Sequence, residues 1–203
     1  MKKVFFFIIT VLVLCPVILI SGFASDNIPV NSPQDILSRH QLSDYVSAVT
    51  AVNDSLIEDE SVSNKVAATI TFADYISFEE LQTYVDTYDI QLQQIQLRGL
   101  MEDGTRVTMA TLVHKGMKAT EDLAYAQALN QGFELVGITD VYAYVIPSNI
   151  INMNDDALTY LVDTTGNTTA TAANNATTAT TDSSTDSAFP KSLTWELENL
   201  NLM

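Results

Sequence analysis

The sequence predicts an α+β protein built on an antiparallel sheet with helices on one face. Three features carry that prediction. A capped amphipathic helix covers 77–88, an Asp-Gly turn joins two strand-like runs within 90–114, and a second helix ends at Gly132 before another strand-like run. Alternating runs of this kind, short and turn-bounded, belong to an antiparallel sheet rather than to a helical bundle.

The chain of 203 residues opens with Met1-Lys2-Lys3, a charge-free apolar run from Val4 to Ile20, and the small residues of Ser21–Ser25. A basic start, an apolar stretch and small residues before a polar segment describe an export signal over 1–24, with cleavage after Ala24. The alternative is an uncleaved membrane anchor formed by residues 4–20, because the run approaches bilayer length. Leu12 and Leu14 precede Cys15 where a lipidation site wants a small residue. The expected location is extracellular or at the cell surface, in a bacterial setting.

Cleavage removes the one cysteine and so excludes a disulfide scaffold, a thiolate zinc site and a cysteine nucleophile together. The formal net charge is −16, and loss of Lys2 and Lys3 takes it to about −18. With no Lys/Arg cluster, nucleic acid and anionic lipid are improbable partners, since both demand basic surface.

Residues 25–64 read as an exposed lead-in followed by an amphipathic helix from Gln34 to about Ile57. Leu42, Tyr45, Val49, Val52 and Leu56 share one face at three-four spacing. The folded domain is expected over 65–163. Val66 to Phe72 is a first strand. Ser77 and Glu80 form a capping box, with Ile76 and Leu81 at the staple positions, and Phe78, Leu81, Val85 and Tyr88 make the buried stripe.

Ile90 to Met101 is a second strand whose alternation slips at Gln93-Gln94, so a bulge is expected there. Asp103-Gly104 turns the chain into a third strand, Thr105 to His114. Thr120 to Gln131 is the second helix, with Leu123, Ala126 and Leu129 inward and Gly132 at its C-cap. Phe133 to Ile146 is a fourth strand with a bulge or bend at Gly137. The resulting β-α-β-β-α-β order is the ferredoxin-like arrangement. Asn149 to Asn154 and Leu158 to Asp163 then add a C-terminal helix and strand.

Residues 164–187 are almost purely Thr, Ala, Asn, Ser and Asp, and read as a disordered linker that lacks the apolar surface to offset its ordering entropy. The apolar segment 188–203 follows, in which Ser192 is placed to cap a helix carrying Leu193, Leu197 and Leu200. It either docks back on the body or reaches a partner.

Motifs for catalysis are sparse. His40 and His114 lie in different modules without ligand-spaced companions, so neither a zinc site nor a histidine triad is expected. Phosphate-loop, dinucleotide and nucleophile-elbow motifs are absent. Asp155-Asp156 lacks the spacing of a calcium loop. No cofactor is therefore expected, and the reading is non-enzymatic protein binding. The alternatives are a structural or assembly component and, behind it, a small hydrolase using carboxylates alone. The candidate contact residues are Tyr142, Tyr144, Asp163, Trp195, Leu197 and Leu200. The two tyrosines alternate along one strand and face one side of the sheet, where they form an aromatic contact patch if that side is uncovered and part of the core if it is not.

The stretch from Tyr142 to Asp163 resembles the end of subtilisin-type propeptides and their free-standing protease-inhibitor relatives. The likeness lies in Tyr142-Ala143-Tyr144-Val145, the break Pro147-Ser148, the short helix Ile150 to Met153, the pair Asp155-Asp156, and the last strand Leu158 to Asp163. The resemblance implies a ferredoxin-like fold, a protease as protein partner, and inhibitory or chaperone-like action through a tail lying substrate-like in the protease cleft. It also implies another division of the chain, with 107–113 as first strand and 120–131 as first helix. The general plan is similar to that of exported bacterial proteins.

Overall fold

The computed structural model describes Pro33 and residues 36–59, 64–166 and 189–203. The leader expected at 1–24 and the linker residues 167–187 lie outside the described residues. Among the described residues, no helix is long and apolar enough to cross a membrane.

The architecture is α+β around one antiparallel five-stranded sheet. Its strands are β1 (Val66–Ile76), β2 (Gln91–Met101), β3 (Arg106–Leu112), β4 (Phe133–Val145) and β5 (Thr159–Asp163), in the order β3-β2-β4-β1-β5. The helices are α1 (Arg39–Glu58), α2 (Phe78–Tyr88), α3 (Met117–Gln131), α4 (Ile150–Asn154) and α5 (Thr194–Asn199).

Local chemistry explains the element ends. The Ser77 hydroxyl accepts from the Glu80 N–H while the Glu80 carboxylate accepts from the Ser77 N–H, so the capping box is complete. The Glu80 carboxyl is accordingly held below its ordinary range by those Ser77 hydrogen bonds. Gly132 ends α3 at φ 78°, a left-handed position that costs glycine nothing. The Asp-Gly hairpin closes through the Gly104 N–H to the Met101 carbonyl. Gln93 is the bulge residue: Leu92 pairs with Ala143 and Gln94 with Tyr142, which leaves no β4 partner between them.

The main core lies under one face of the sheet. Ala68, Ile70 and Phe72 of β1, Ile95 and Leu97 of β2, and Val141, Ala143 and Val145 of β4 meet α2, α3 and α4 there. Helix α3 presents Thr120, Ala124 and Ala128 to this core and leaves Leu123 and Leu129 exposed, 40% and 81% respectively. Ala126 is exposed as well, so none of the expected inward set of Leu123, Ala126 and Leu129 faces the core. Small side chains let this helix lie close on the sheet.

Two features of the fold differ from expectation. Helices cover both faces, because α1 and α5 close the opposite side in a second apolar cluster of Ile36, Leu42, Tyr45, Val49, Leu161, Leu193 and Leu197. The strand order also departs from the ferredoxin-like one. The ladders make β1 and β2 parallel to each other, and the strand filling the gap between them is β4. In the ferredoxin-like order the third strand fills that gap; here β3 is an edge and β5 occupies the outer side of β1. Element order alone is compatible with both arrangements, since each satisfies the same alternation.

Folding also continues past Asp163. Thr164 is fully buried and its hydroxyl donates to Asn53 Oδ1. Asn53, not Val52, is the fourth buried position of α1, and its Nδ2 donates to the Val162 carbonyl at 2.7 Å. Asn154 Oδ1 accepts from the Val162 N–H. Both backbone groups of Val162 on the outer edge of β5 are thus satisfied by side chains, which blunts the edge there.

Candidate functional site: the groove beneath the C-terminal segment

Alternation along the strands places polar and aromatic side chains on the second face of the sheet. Thr69 and Thr71 of β1, Gln94, Gln96 and Arg98 of β2, Asp140, Tyr142 and Tyr144 of β4, and Asp163 of β5 share that face by ladder register. Residues 189–203 lie across it, so the C-terminal segment docks on the body.

The docking is distributed along the segment. Phe189 stacks on Tyr142 with ring centroids 5.6 Å apart and meets Tyr144 edge-on at 5.5 Å. The Thr69 hydroxyl donates to the Pro190 carbonyl. Ser192 Oγ accepts from the Thr194 N–H, but the N-cap of α5 is Leu193 and no side chain caps the helix, so Ser192 does not take the capping position expected for it. The Thr194 hydroxyl donates to Asp140 Oδ2 at 2.9 Å, where Thr139 also donates. Leu193 and Leu197 fill the second apolar cluster, against which Leu200 is partly buried. Arg39 Nη2 donates to the Leu200 carbonyl.

A buried ion pair closes the far end. Arg98 Nε lies 2.7 Å from Glu198 Oε1, with side chains only 2% and 1% exposed. Tyr75 OH donates to the same oxygen at 2.9 Å. Arg106 Nη1 stands 3.5 Å from Glu198 Oε2, close enough for ion pairing but without hydrogen-bond geometry. The Arg98 guanidinium also donates to the Thr108 hydroxyl and sits 4.2 Å from the centre of the Trp195 ring.

Burial governs the acids at this site. Asp140 is 2% exposed, its Oδ1 has no hydrogen-bond partner, and burial pushes its carboxyl above the ordinary carboxylate range against the pull of three hydroxyls and Arg98. Burial likewise raises Glu196, whose Oε2 is unpartnered. Asp163 is raised by burial, although Tyr45 and Thr165 hydrogen-bond to it. The Tyr45 phenol is pushed up in turn, first by burial and then by the Asp163 charge. A cavity of about 420 Å³ lies where the segment bridges β2 and β4, lined by Gln96, Arg98, Asp140, Tyr142, Trp195 and Glu196 among others.

All six residues singled out from the sequence belong to this face or its occupant. Tyr142 and Tyr144 receive Phe189, Leu197 and Leu200 join the apolar cluster, and Trp195 covers Arg98 while remaining 48% exposed. Asp163 contacts α1 through Tyr45 and is only 3% exposed. Sequence reasoning missed Arg98, Asp140, Glu198 and Phe189. Arg98 did leave a signal, as a lone cation in phase with Gln94 and Gln96 on the polar side of a strand.

The histidines stay apart: His40 is exposed beside Asp44 at 3.7 Å and His114 is exposed at a strand end. Asp156 accepts from Tyr88 OH and the Leu158 N–H. Among the described residues, no cluster of His, Cys, Asp and Glu could hold a metal ion. Comparison with protein-family models, curated proteins and solved structures returns no match to this chain.

Proposed function

We propose that this is an exported, non-enzymatic protein-binding module whose working surface is the second face of its sheet. That face is a groove for a peptide that begins irregular and ends in a short helix. Its present occupant is the chain's own residues 189–203. The observation that carries this reading is the kind of contact made: an aromatic residue stacked on two strand tyrosines, leucine anchors in an apolar cluster, and a buried arginine meeting a glutamate. These are the hot-spot elements of peptide recognition, an aromatic anchor and a desolvated charge pair ringed by weaker contacts. The polar groups at the groove hold the segment, which supports binding rather than turnover. Because Asp163 and Thr164 are buried against α1, a protease-directed form of this reading would use the groove or the segment rather than the end of β5.

Severing the connection tests the proposal. A site-specific protease sequence is placed within residues 167–188 of the full chain and cut after folding. Labelled peptide of sequence 189–203 should then exchange onto the body, and a peptide carrying Glu198→Ala should not. A body that unfolds when its segment is displaced would make the segment a plain part of the core and sink the reading.

A further inference from the structure

We propose that the groove's partner is a second copy of this chain, reached by reciprocal exchange of the C-terminal segments. The inference rests on the groove reading above and adds the identity of the partner. The end of the body and the start of the segment lie side by side. Thr69 is the ladder partner of Asp163, and the hydroxyl of that same Thr69 binds the Pro190 carbonyl. A few residues would join Asp163 to Pro190 within one molecule. The chain instead places residues 167–188 between Gly166 and Phe189. At full extension that connection reaches about 75 Å, several times the radius of gyration of about 14 Å for a body of this size. Docking within one molecule uses almost none of this reach, and what is left over is long enough to carry the segment to a neighbour.

The contacts favour a copy over an unrelated protein. The contacts that join the segment to the rest of the chain are made to the body at residues 36–163, so a neighbour's segment would satisfy each of them by identity. Phe189 would find Tyr142 and Tyr144, Leu193 and Leu197 the apolar cluster, and Glu198 the buried Arg98. Exchange of an identical element is a low-cost route to dimers because no new surface has to be made complementary. Within one molecule, closure acts at an effective concentration of roughly millimolar, so dilute chain stays closed on itself and crowded chain exchanges.

A charge-reversal pair provides the test. Full-length chain carrying Arg98→Glu has a mismatched groove and a sound segment, and chain carrying Glu198→Arg the converse. Each alone mismatches its own docking. Refolded together, the two restore one native and one reversed pair only by exchanging segments. Light scattering should give twice the monomer mass for the mixture and monomer mass for either chain alone. A monomeric mixture overturns the exchange.

A second measurement does not depend on those variants folding. Arg39 binds the Leu200 carbonyl, which places the start of α1 beside the end of the segment. Two batches of full-length Cys15→Ser chain carry a donor dye at Asn201→Cys and an acceptor dye at Leu37→Cys, respectively. Co-refolded and read at millimolar concentration, they should show more energy transfer between copies than the same pair with Glu198→Ala added to the donor chain, and equal transfer overturns exchange. If the severed segment still exchanges with peptide while both measurements fail, the groove stands and only the second copy falls.

Discussion

Arg98 in the middle of β2 and Glu198 near the end of the chain form an ion pair 2.7 Å long, with both side chains almost wholly removed from water. Removing one member leaves the other charged in a dry site, which costs about 3–5 kcal/mol. Glu198→Ala should therefore undock the segment, and Trp195, now packed over Arg98, should shift its fluorescence toward that of a solvated indole. Replacing both members at once, as Arg98→Met with Glu198→Leu, should leave stability near wild type or raise it. A single substitution as mild as the double one would show that the pair contributes nothing to docking.

Asp140 makes docking sensitive to pH. Burial raises its carboxyl in the folded state, so between the ordinary carboxylate range and that raised value the folded protein binds more protons than the unfolded one. Stability then falls as pH rises through this window. Asp163 and Glu196 are raised by burial as well and act in the same direction. The urea midpoint should consequently climb when pH is lowered from 7 toward the ordinary carboxylate range. Asp140→Asn keeps an acceptor for the Thr139 and Thr194 hydroxyls but has no proton to exchange, so its slope should be shallower. An unchanged slope would remove Asp140 from the account.

What the sequence made legible was local. The Ser77–Glu80 box, the slip at Gln93, the Asp-Gly hairpin and the Gly132 cap each depend on residues a few positions apart, and each is present in the fold. Strand order was not legible, because the choice between β3 and β4 as neighbour of β1 leaves the same side chains facing the core. The groove was half legible. Tyr142 and Tyr144 marked a shared face, yet what covers it is Phe189, more than forty residues away across a low-complexity stretch. Nor could the pairing of Arg98 with Glu198 be read, since |i−j| is 100 for that contact and no local rule links such positions.

Gly137 is required by a close approach of backbone. A Cβ at this position would stand 2.9 Å from Tyr75 Cβ and 3.1 Å from the Ile76 carbonyl oxygen. Neither neighbour is the tip of a flexible side chain, so β1 and β4 would have to separate where their register already shifts between Thr71 and Ile76. Gly137→Ala should cost about 1–3 kcal/mol in denaturant unfolding. It should also weaken docking, because Tyr75 carries one of the hydrogen bonds to Glu198. Wild-type stability in the variant would mean that the strands can part there without strain.

Asn53 joins α1 to the edge of the sheet through both ends of its amide. Its Nδ2 donates to the Val162 carbonyl at 2.7 Å and its Oδ1 accepts from the Thr164 hydroxyl at 2.6 Å, in a site 2% exposed. Asn53→Ala leaves both partners without it, and buried groups stranded in this way cost about 1–3 kcal/mol. Asn53→Asp is the sharper test, because it retains the acceptor for Thr164 while turning a carboxylate oxygen toward the Val162 carbonyl. Burial of that added charge should make the aspartate variant the less stable of the two at pH 7. Acidification should then narrow the gap, as the carboxyl regains a proton and with it a donor for Val162. Urea unfolding of both variants at pH 7 and at pH 5 measures the gap directly. An aspartate variant as stable as the alanine one at pH 7 would show that Asn53 does not serve Val162, and that the outer edge of β5 is held by Asn154 alone.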